Sequence, residues 1–312
     1  MPSRYAIIGT GAVGGYYGAM LLKAGFNVHF LLNSDFEYVK QHGLKIDSIN
    51  GNFTLPDVHV YKSSQNMPPC DIILITLKTT KNHLLPEILP PLLKPGSMVI
   101  MMQNGLDIEE EVASIANNCT ILGGLCFICS NKIGPGHIRH LDYGQFTLGE
   151  YSPSPTGSGI TSAIENAVKD FENAGISVTP VENLAIARWK KLVWNIPFNG
   201  LSVLLNTTTK ELVEHPESRN LIRRMMEEVL SGADACGYHI KADFVDQMLE
   251  ATDAMIPYLP SMKFDFDQKR PMEVDAIYRR PLHKTEDVGV LLPHVKMLYQ
   301  QLKFLNDRNS IR

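Results

Sequence analysis

Apolar residues in the first half of the chain come in short runs, separated by stretches where they recur at helical spacing. Tyr5–Ile8, Asn27–Leu32, Asp71–Leu77, Ser97–Met102 and Thr120–Ile128 are predicted strands. Asp71–Leu77 is almost continuously apolar, as a strand covered on both faces should be. The alternation of runs and helical segments is that of a doubly wound parallel sheet. Gly43 to Tyr61 alternates more strictly and carries Asn50-Gly51, a hairpin signal, so it is predicted as a β-excursion off that sheet. His137–Leu148 is predicted as a further short antiparallel pair. Ser152–Gly159 has the composition of a linker, but a helix (Ile160–Asn173) and a strand (Ile176–Thr179) follow it and should complete the sheet. After Asn183 the pattern is helical almost to the end, as in Arg219–Cys236 and Ala242–Met255.

The turn after the first strand changes the picture most. Gly9-Thr10-Gly11-Ala12-Val13-Gly14 follows Tyr5–Ile8 directly and opens a helical segment, Gly15 to Lys23. In that context Gly9 makes the tight turn, Gly11 lets backbone approach a pyrophosphate, and Gly14 lets the helix pack close to the strand. Thr10, Ala12 and Val13 complete the expected cofactor cradle at the helix N-terminus. The predicted fold class is therefore α/β. Residues 1–182 form an N-terminal Rossmann-like, doubly wound dinucleotide-binding domain, and residues 183–312 form a C-terminal all-α domain for substrate binding and catalysis.

Composition narrows the function. The chain has 312 residues, a net charge of -4 and no long basic run, so nothing draws it to nucleic acid or to an anionic membrane surface. Arg4 and the apolar stretch to Leu22 superficially resemble a signal peptide, but five glycines between Gly9 and Gly18 interrupt it. The expected location is the cytoplasm. Five cysteines at irregular spacing do not read as a disulfide framework. Cys126 and Cys129 form a CxxC within an apolar, strand-like run, where residues three apart diverge, so they are expected as reduced thiols. No metal is called for.

Ligands of open parallel sheets bind beyond the carboxyl ends of the strands. Lys78 ends the Asp71–Leu77 run, and Asn104, in Gln103-Asn104-Gly105, follows Ser97–Met102. Each alone reads equally well as a polar strand end or a turn. Their shared edge beside the glycine turn favours function. In Trp189–Asn199, Lys191, Asn195 and Asn199 fall at i, i+4 and i+8, one face of a mostly apolar helix. Pro197 lies inside that helix and is expected to kink it. The plainer reading is an amphipathic helix with lysines snorkelling to water. Ser261 and Glu273, taken alone, read as a helix cap and a solvated carboxylate.

Together these residues resemble the ketopantoate reductase family. Its carriers are Gly9–Gly14, Leu77-Lys78, Gln103-Asn104-Gly105, Trp189-x-Lys191-Leu192-x-x-Asn195-x-x-x-Asn199, Ser261 and Glu273, across nearly the whole chain. The resemblance implies NADPH-dependent reduction of 2-dehydropantoate to (R)-pantoate. It implies Lys191 as proton donor, and Asn195 and Asn199 as substrate-holding groups. Ser261 would bind the substrate carboxylate, and Glu273 would lie near the reacting hydroxyl and the cofactor. Lys78 and Asn104 would bridge cofactor and catalytic lysine. The chemistry suits these residue types: hydride delivery to a ketone develops negative charge on oxygen, which a positioned ammonium stabilises and then protonates.

One position departs from the family pattern. An arginine usually follows the second strand and pairs with the 2′-phosphate of NADP. Asn33 stands there, followed by Ser34 and Asp35. Asn33 and Ser34 can bond a phosphate without supplying charge, whereas Asp35 would repel it or accept from a free ribose hydroxyl. NADP is the expected cofactor, with NAD as the alternative. The expected partner is a small 2-oxo acid, and the helical half could also form a homodimer seam. A reductase of another 2-oxo acid and a non-catalytic dinucleotide sensor are the competing readings.

Overall fold

The computed structural model describes residues 3–255, 257 and 259–310. The chain divides into two compact units. Unit 1 comprises Met1–Gln103 and Ile108–Leu184, and unit 2 comprises Asn104–Asp107 and Ala185–Arg312. The short segment Asn104–Asp107 thus belongs with the helical unit, although its neighbours in sequence belong to the sheet.

Unit 1 opens with β1 (Arg4–Ile8), α1 (Ala12–Lys23), β2 (Asn27–Leu31) and α2 (Phe36–His42). Three short strands follow: β3 (Leu44–Ser48), β4 (Phe53–Leu55) and β5 (His59–Tyr61). Then come β6 (Ile72–Ile75), α3 (Leu85–Ile88), β7 (Met98–Met101) and α4 (Ile108–Ala113). A long hairpin, β8 (Thr120–Gly134) and β9 (His137–Glu150), precedes α5 (Ser162–Asn173) and β10 (Val178–Pro180). All ten strands join one sheet, in the order β4-β3-β9-β8-β7-β6-β1-β2-β5, with β10 against β9. The pairs β3–β4 and β8–β9 are antiparallel and the rest parallel. Its core is aliphatic and aromatic, with Tyr5, Ile7, Phe30, Leu74, Ile100, Phe146 and Phe171 all buried.

The sheet corrects three expectations. Gly43–Tyr61 does not leave it, because β3 pairs in parallel with β9 and β5 in parallel with β2. His137–Leu148 is not a short pair but most of one 14-residue strand, turned back on β8 at Gly134-Pro135-Gly136. Register shifts at Phe127/Ile128, Cys129/Ser130 and Lys132/Gly134 break the alternation that would have marked it as one strand. The runs ending at Leu77 and Met102 give strands that end at Ile75 and Met101, with one further N–H bond each, from Thr76 to Ile8 and from Met102 to Ile75. Cys126 and Cys129 lie in β8, and neither is in a disulfide.

Unit 2 is helical. α6 (Leu184–Leu205), α7 (Thr209–Glu214), α8 (Pro216–Ala235) and α9 (Phe244–Asp253) lead to α10 (Ser261–Asp267). A π-turn (Asp275–Arg279), α11 (Arg280–Asp287) and α12 (Pro293–Ser310) close the chain. Thr208 and Glu211 start α7 with a reciprocal capping box, each satisfying a backbone N–H of the other. α8 contributes Ile222, Met225, Met226 and Val229 to a buried core that also holds Trp189, Leu192, Ile196, Tyr278 and Leu298. Leu106, carried by the short segment, is part of this core. Among the described residues no helix is long and apolar enough to cross a membrane.

Candidate active site

In unit 1 the glycine turn has a specific shape. Gly9 sits at φ +100, and a Cβ there would lie 2.5 Å from the Leu77 backbone nitrogen. The Gly11 N–H donates to the Gly9 carbonyl at 2.7 Å, closing the turn, and the Gly15 N–H donates to Gly11 at 2.9 Å, opening α1. A Cβ on Gly14 would come within 2.2 Å of Thr76 Oγ1, so only glycine allows this approach of helix to strand. The Thr76 hydroxyl lies within 3.0 Å of the Ile8 carbonyl and 2.7 Å of the Gly9 carbonyl, donating into the turn. A Cβ on Gly11 would meet nothing within 4 Å, and no side chain caps α1. The space beside Gly11 at the start of α1 is therefore open, which suits the pyrophosphate of a dinucleotide.

Three segments gather around this turn. Thr10 Oγ1 donates to the Leu31 carbonyl at the end of β2 (3.2 Å), and Ser130 Oγ of β8 donates to the Ala12 carbonyl (3.3 Å). Val13 continues α1 beside them, half-buried. Just past β2, Asn33 and Ser34 are exposed, but Asp35 is buried, 6% exposed. Asp35 accepts from Lys132 Nζ at 2.6 Å, from the Gly136 N–H at 2.9 Å and from the Ser34 hydroxyl at 2.9 Å. Burial works against its ionisation, but those three donors outweigh burial and hold its carboxyl below the usual carboxylate range. The aspartate that could have served a free ribose hydroxyl is thus engaged within the protein. Lys78 is exposed, three residues past β6, and opens a 3₁₀ turn. Gln103 Nε2 bonds the Leu77 carbonyl and Asn82 Oδ1, both at 2.7 Å, and ties the ends of β6 and β7 together.

Unit 2 holds the other expected residues. Lys191, Asn195 and Asn199 lie along α6, which stays helical past Pro197 to Leu205. Lys191 is half-buried, whereas Asn195 and Asn199 are 6% and 3% exposed. Asn199 Nδ2 donates to the Asn195 carbonyl (2.9 Å), and Asn199 Oδ1 accepts the Met262 N–H (3.3 Å). The start of α10, and with it Ser261, is thereby held against the asparagine face of α6. Ser261 is the first residue of α10 and not its cap, which is Pro260. Pro197 removes the donor for the Val193 carbonyl, and one turn along the same helix the Tyr278 hydroxyl enters the ladder. It donates to the Ile196 carbonyl at 2.8 Å and accepts from the Gly200 N–H. Its complete burial pushes its pKa well up, so it stays a protonated donor.

Glu273 is 5% exposed, two residues before the π-turn, and so is not a solvated carboxylate. The Asn104 segment docks on that same π-turn. Gly105, at φ +113, lies so close that a Cβ would stand 2.5 Å from Ala276 Cβ. The Leu106 N–H donates to the Ala276 carbonyl (3.0 Å), and Lys284 pairs with Asp107 at 2.7 Å. Asn104 is therefore fixed by its neighbours to the turn that follows Glu273. Thr76, Ser130, Lys132 and Tyr278 are contributors that sequence spacing did not single out, and Gln103 entered only as part of the Gln103-Asn104-Gly105 turn.

A glycine turn on a parallel sheet, joined to a helical unit with a lysine–asparagine face, defines a dinucleotide-binding oxidoreductase of two units. Residues 5–153 match the family Ketopantoate reductase PanE/ApbA, and residues 183–306 match Ketopantoate reductase PanE/ApbA C terminal. The chain belongs to the ketopantoate reductase family, whose members use NADH or NADPH. It is 54% identical to the 2-dehydropantoate 2-reductase of Nostoc sp., over 98% of this chain and 96% of that protein. It is similar to the crystal structure of 2-dehydropantoate 2-reductase from Geobacter metallireducens, with 43% identity and a TM-score of 0.91, covering 96% of this chain and 99% of that one. A D-mandelate dehydrogenase in ternary complex with NADH and anilino(oxo)acetate shares the fold, with 19% identity and a TM-score of 0.89, covering 98% and 99%.

Proposed function

We propose that this protein reduces 2-dehydropantoate to (R)-pantoate with NADPH, the reductive step on the route to pantothenate and coenzyme A. The observation that carries this reading is the face of α6, where Asn195 and Asn199 are buried in line with Lys191 and Asn199 also seats the start of α10. Unit 1 is the cofactor-binding half in this reading, with Gly9–Gly14, Asn33 and Lys78 as contacts, and unit 2 is the catalytic half. A reduced nicotinamide held there would supply the hydride to the ketone carbon. Lys191 then stabilises the oxygen that gains charge and gives it a proton. Asn195, Asn199 and Asn104 orient the substrate through neutral hydrogen bonds that leave the lysine charge intact. Ser261 donates to the substrate carboxylate. Glu273 accepts from the hydroxyl or the nicotinamide amide.

NADP is preferred to NAD because the Asp35 carboxylate is taken up by Lys132, Gly136 and Ser34. A cytoplasmic location and a homodimer complete the reading. For the dimer, the support is a set of exposed apolar side chains on unit 2, among them Leu205, Met297 and Phe304. The test is the loss of NADPH absorbance with 2-dehydropantoate, run beside other 2-oxo acids. Turnover fastest with 2-dehydropantoate is expected. Faster turnover of another 2-oxo acid would reassign the substrate, and cofactor binding without any turnover would favour a sensor.

A further inference from the structure

The family pattern places an arginine after the second strand, and here that position is Asn33, which carries no charge. A phosphate dianion on the adenosine ribose would still need a cation. The ribose of a dinucleotide lies beside the end of β2 in this sheet topology. Two links bring other elements to that place: Thr10 bonds the Leu31 carbonyl, and Ser130 of β8 bonds the Ala12 carbonyl. Two residues beyond Ser130 on β8 is Lys132, and two residues beyond Asn33 is Asp35. Their side chains meet at 2.6 Å.

The two partners are not equally placed. The Asp35 side chain is 7% exposed and the Lys132 side chain 33% exposed, so the cation stands on the solvent side of the pair. An approaching anion meets the ammonium before the carboxylate. Lysine has three N–H donors, and a single bond to Asp35 leaves the others for a ligand. The Ser34 hydroxyl gives its proton to Asp35 and so cannot also give it to a phosphate. Lys132, by contrast, is a long side chain already held in one place, which lowers the entropy lost on binding.

We propose that Lys132, positioned by Asp35, is the cation that recognises the 2′-phosphate of the dinucleotide in place of the family's arginine. The proposal rests on the NADP reading above. The experiment uses calorimetric titration with 2′-phosphorylated ADP-ribose and with ADP-ribose, which needs no turnover. The wild-type protein should bind the phosphorylated probe more tightly. Lys132→Gln keeps a hydrogen bond to Asp35 and removes the charge. It should cut the preference by about tenfold, the scale of one charge-assisted hydrogen bond, while leaving ADP-ribose affinity unchanged. The wild-type preference should also shrink with added salt, since the lysine is partly exposed.

An unchanged preference in Lys132→Gln overturns the proposal. Should that variant fail to fold, Lys132→Gln with Asp35→Asn removes both charges and keeps the hydrogen bonds. An unchanged preference there overturns the proposal equally. A wild-type protein that binds both probes alike overturns the NADP reading itself, a different result from the loss of Lys132 as its reader.

Discussion

Replacing Gly105 by alanine tests how Asn104 is held. The backbone at Gly105 has φ +113, and an added Cβ would stand 2.5 Å from Ala276 Cβ and 2.8 Å from the Ala276 carbonyl oxygen. The strained backbone costs about 1–3 kcal/mol. Overpacking against a π-turn that cannot easily retreat adds about 1–3 kcal/mol more. The control is Gly237→Ala in the same unit, where φ is +86 and a Cβ meets nothing within 4 Å. It should cost only the backbone penalty, about 1–2 kcal/mol. Both of the chain's tryptophans, Trp189 and Trp194, lie in α6, so urea unfolding followed by tryptophan fluorescence reports unit 2 directly. Gly105→Ala should lose clearly more stability than Gly237→Ala. It should also raise the KM for 2-dehydropantoate, because Asn104 is displaced with the loop. Equal losses for the two variants would refute the close-approach argument.

Lys191→Ala should lower kcat by about 10²–10⁴-fold, the range for loss of a general acid, with little change in NADPH affinity by fluorescence titration; near-normal turnover would remove Lys191 from the mechanism. Asn33→Arg should tighten NADPH relative to NADH, since a guanidinium can pair bidentately with the 2′-phosphate; a constant ratio of dissociation constants would mean that position 33 does not face the phosphate. Burial, then the neighbouring His59 and Arg4, lowers the His29 pKa to about 4. Protons therefore bind the unfolded chain first as pH falls below its ordinary value, and stability should decline from about pH 6.5 toward pH 4. His29→Leu should flatten that decline in urea midpoints measured across this range, and an unaltered slope would show that His29 does not set it.

What could be read from the sequence follows the reach of the interactions involved. β1, β6 and β7 are buried on both faces and announce themselves as apolar runs. The α6 face is legible because three polar residues repeat at helical spacing within a single element. The membership of β3 and β5 in the sheet was not legible, because each pairs in parallel with a distant strand, as Ile46 does with Ile138. The docking of Gly105 on Ala276 and the entry of Tyr278 into the α6 ladder are likewise contacts between remote segments. No local pattern says which remote residue will make such a contact. Asp35 illustrates the same limit: its sequence position suggested a ligand contact, and tertiary structure gave its carboxylate to Lys132 and Gly136.

The passage of Asn104–Asp107 into unit 2 makes the two units inseparable as genetic modules. A fragment beginning at Ala185 lacks Leu106, a member of its own hydrophobic core. It also lacks the Asp107 carboxylate that Lys284 pairs with. A chimaera that exchanges the C-terminal half with a relative must therefore carry residues 104–107 from the same parent, or it joins a core to a plug shaped for another. During synthesis Leu106 leaves the ribosome long before α6, so the nascent chain holds an apolar residue whose burial site does not yet exist. Completion of the helical unit is what retires that residue.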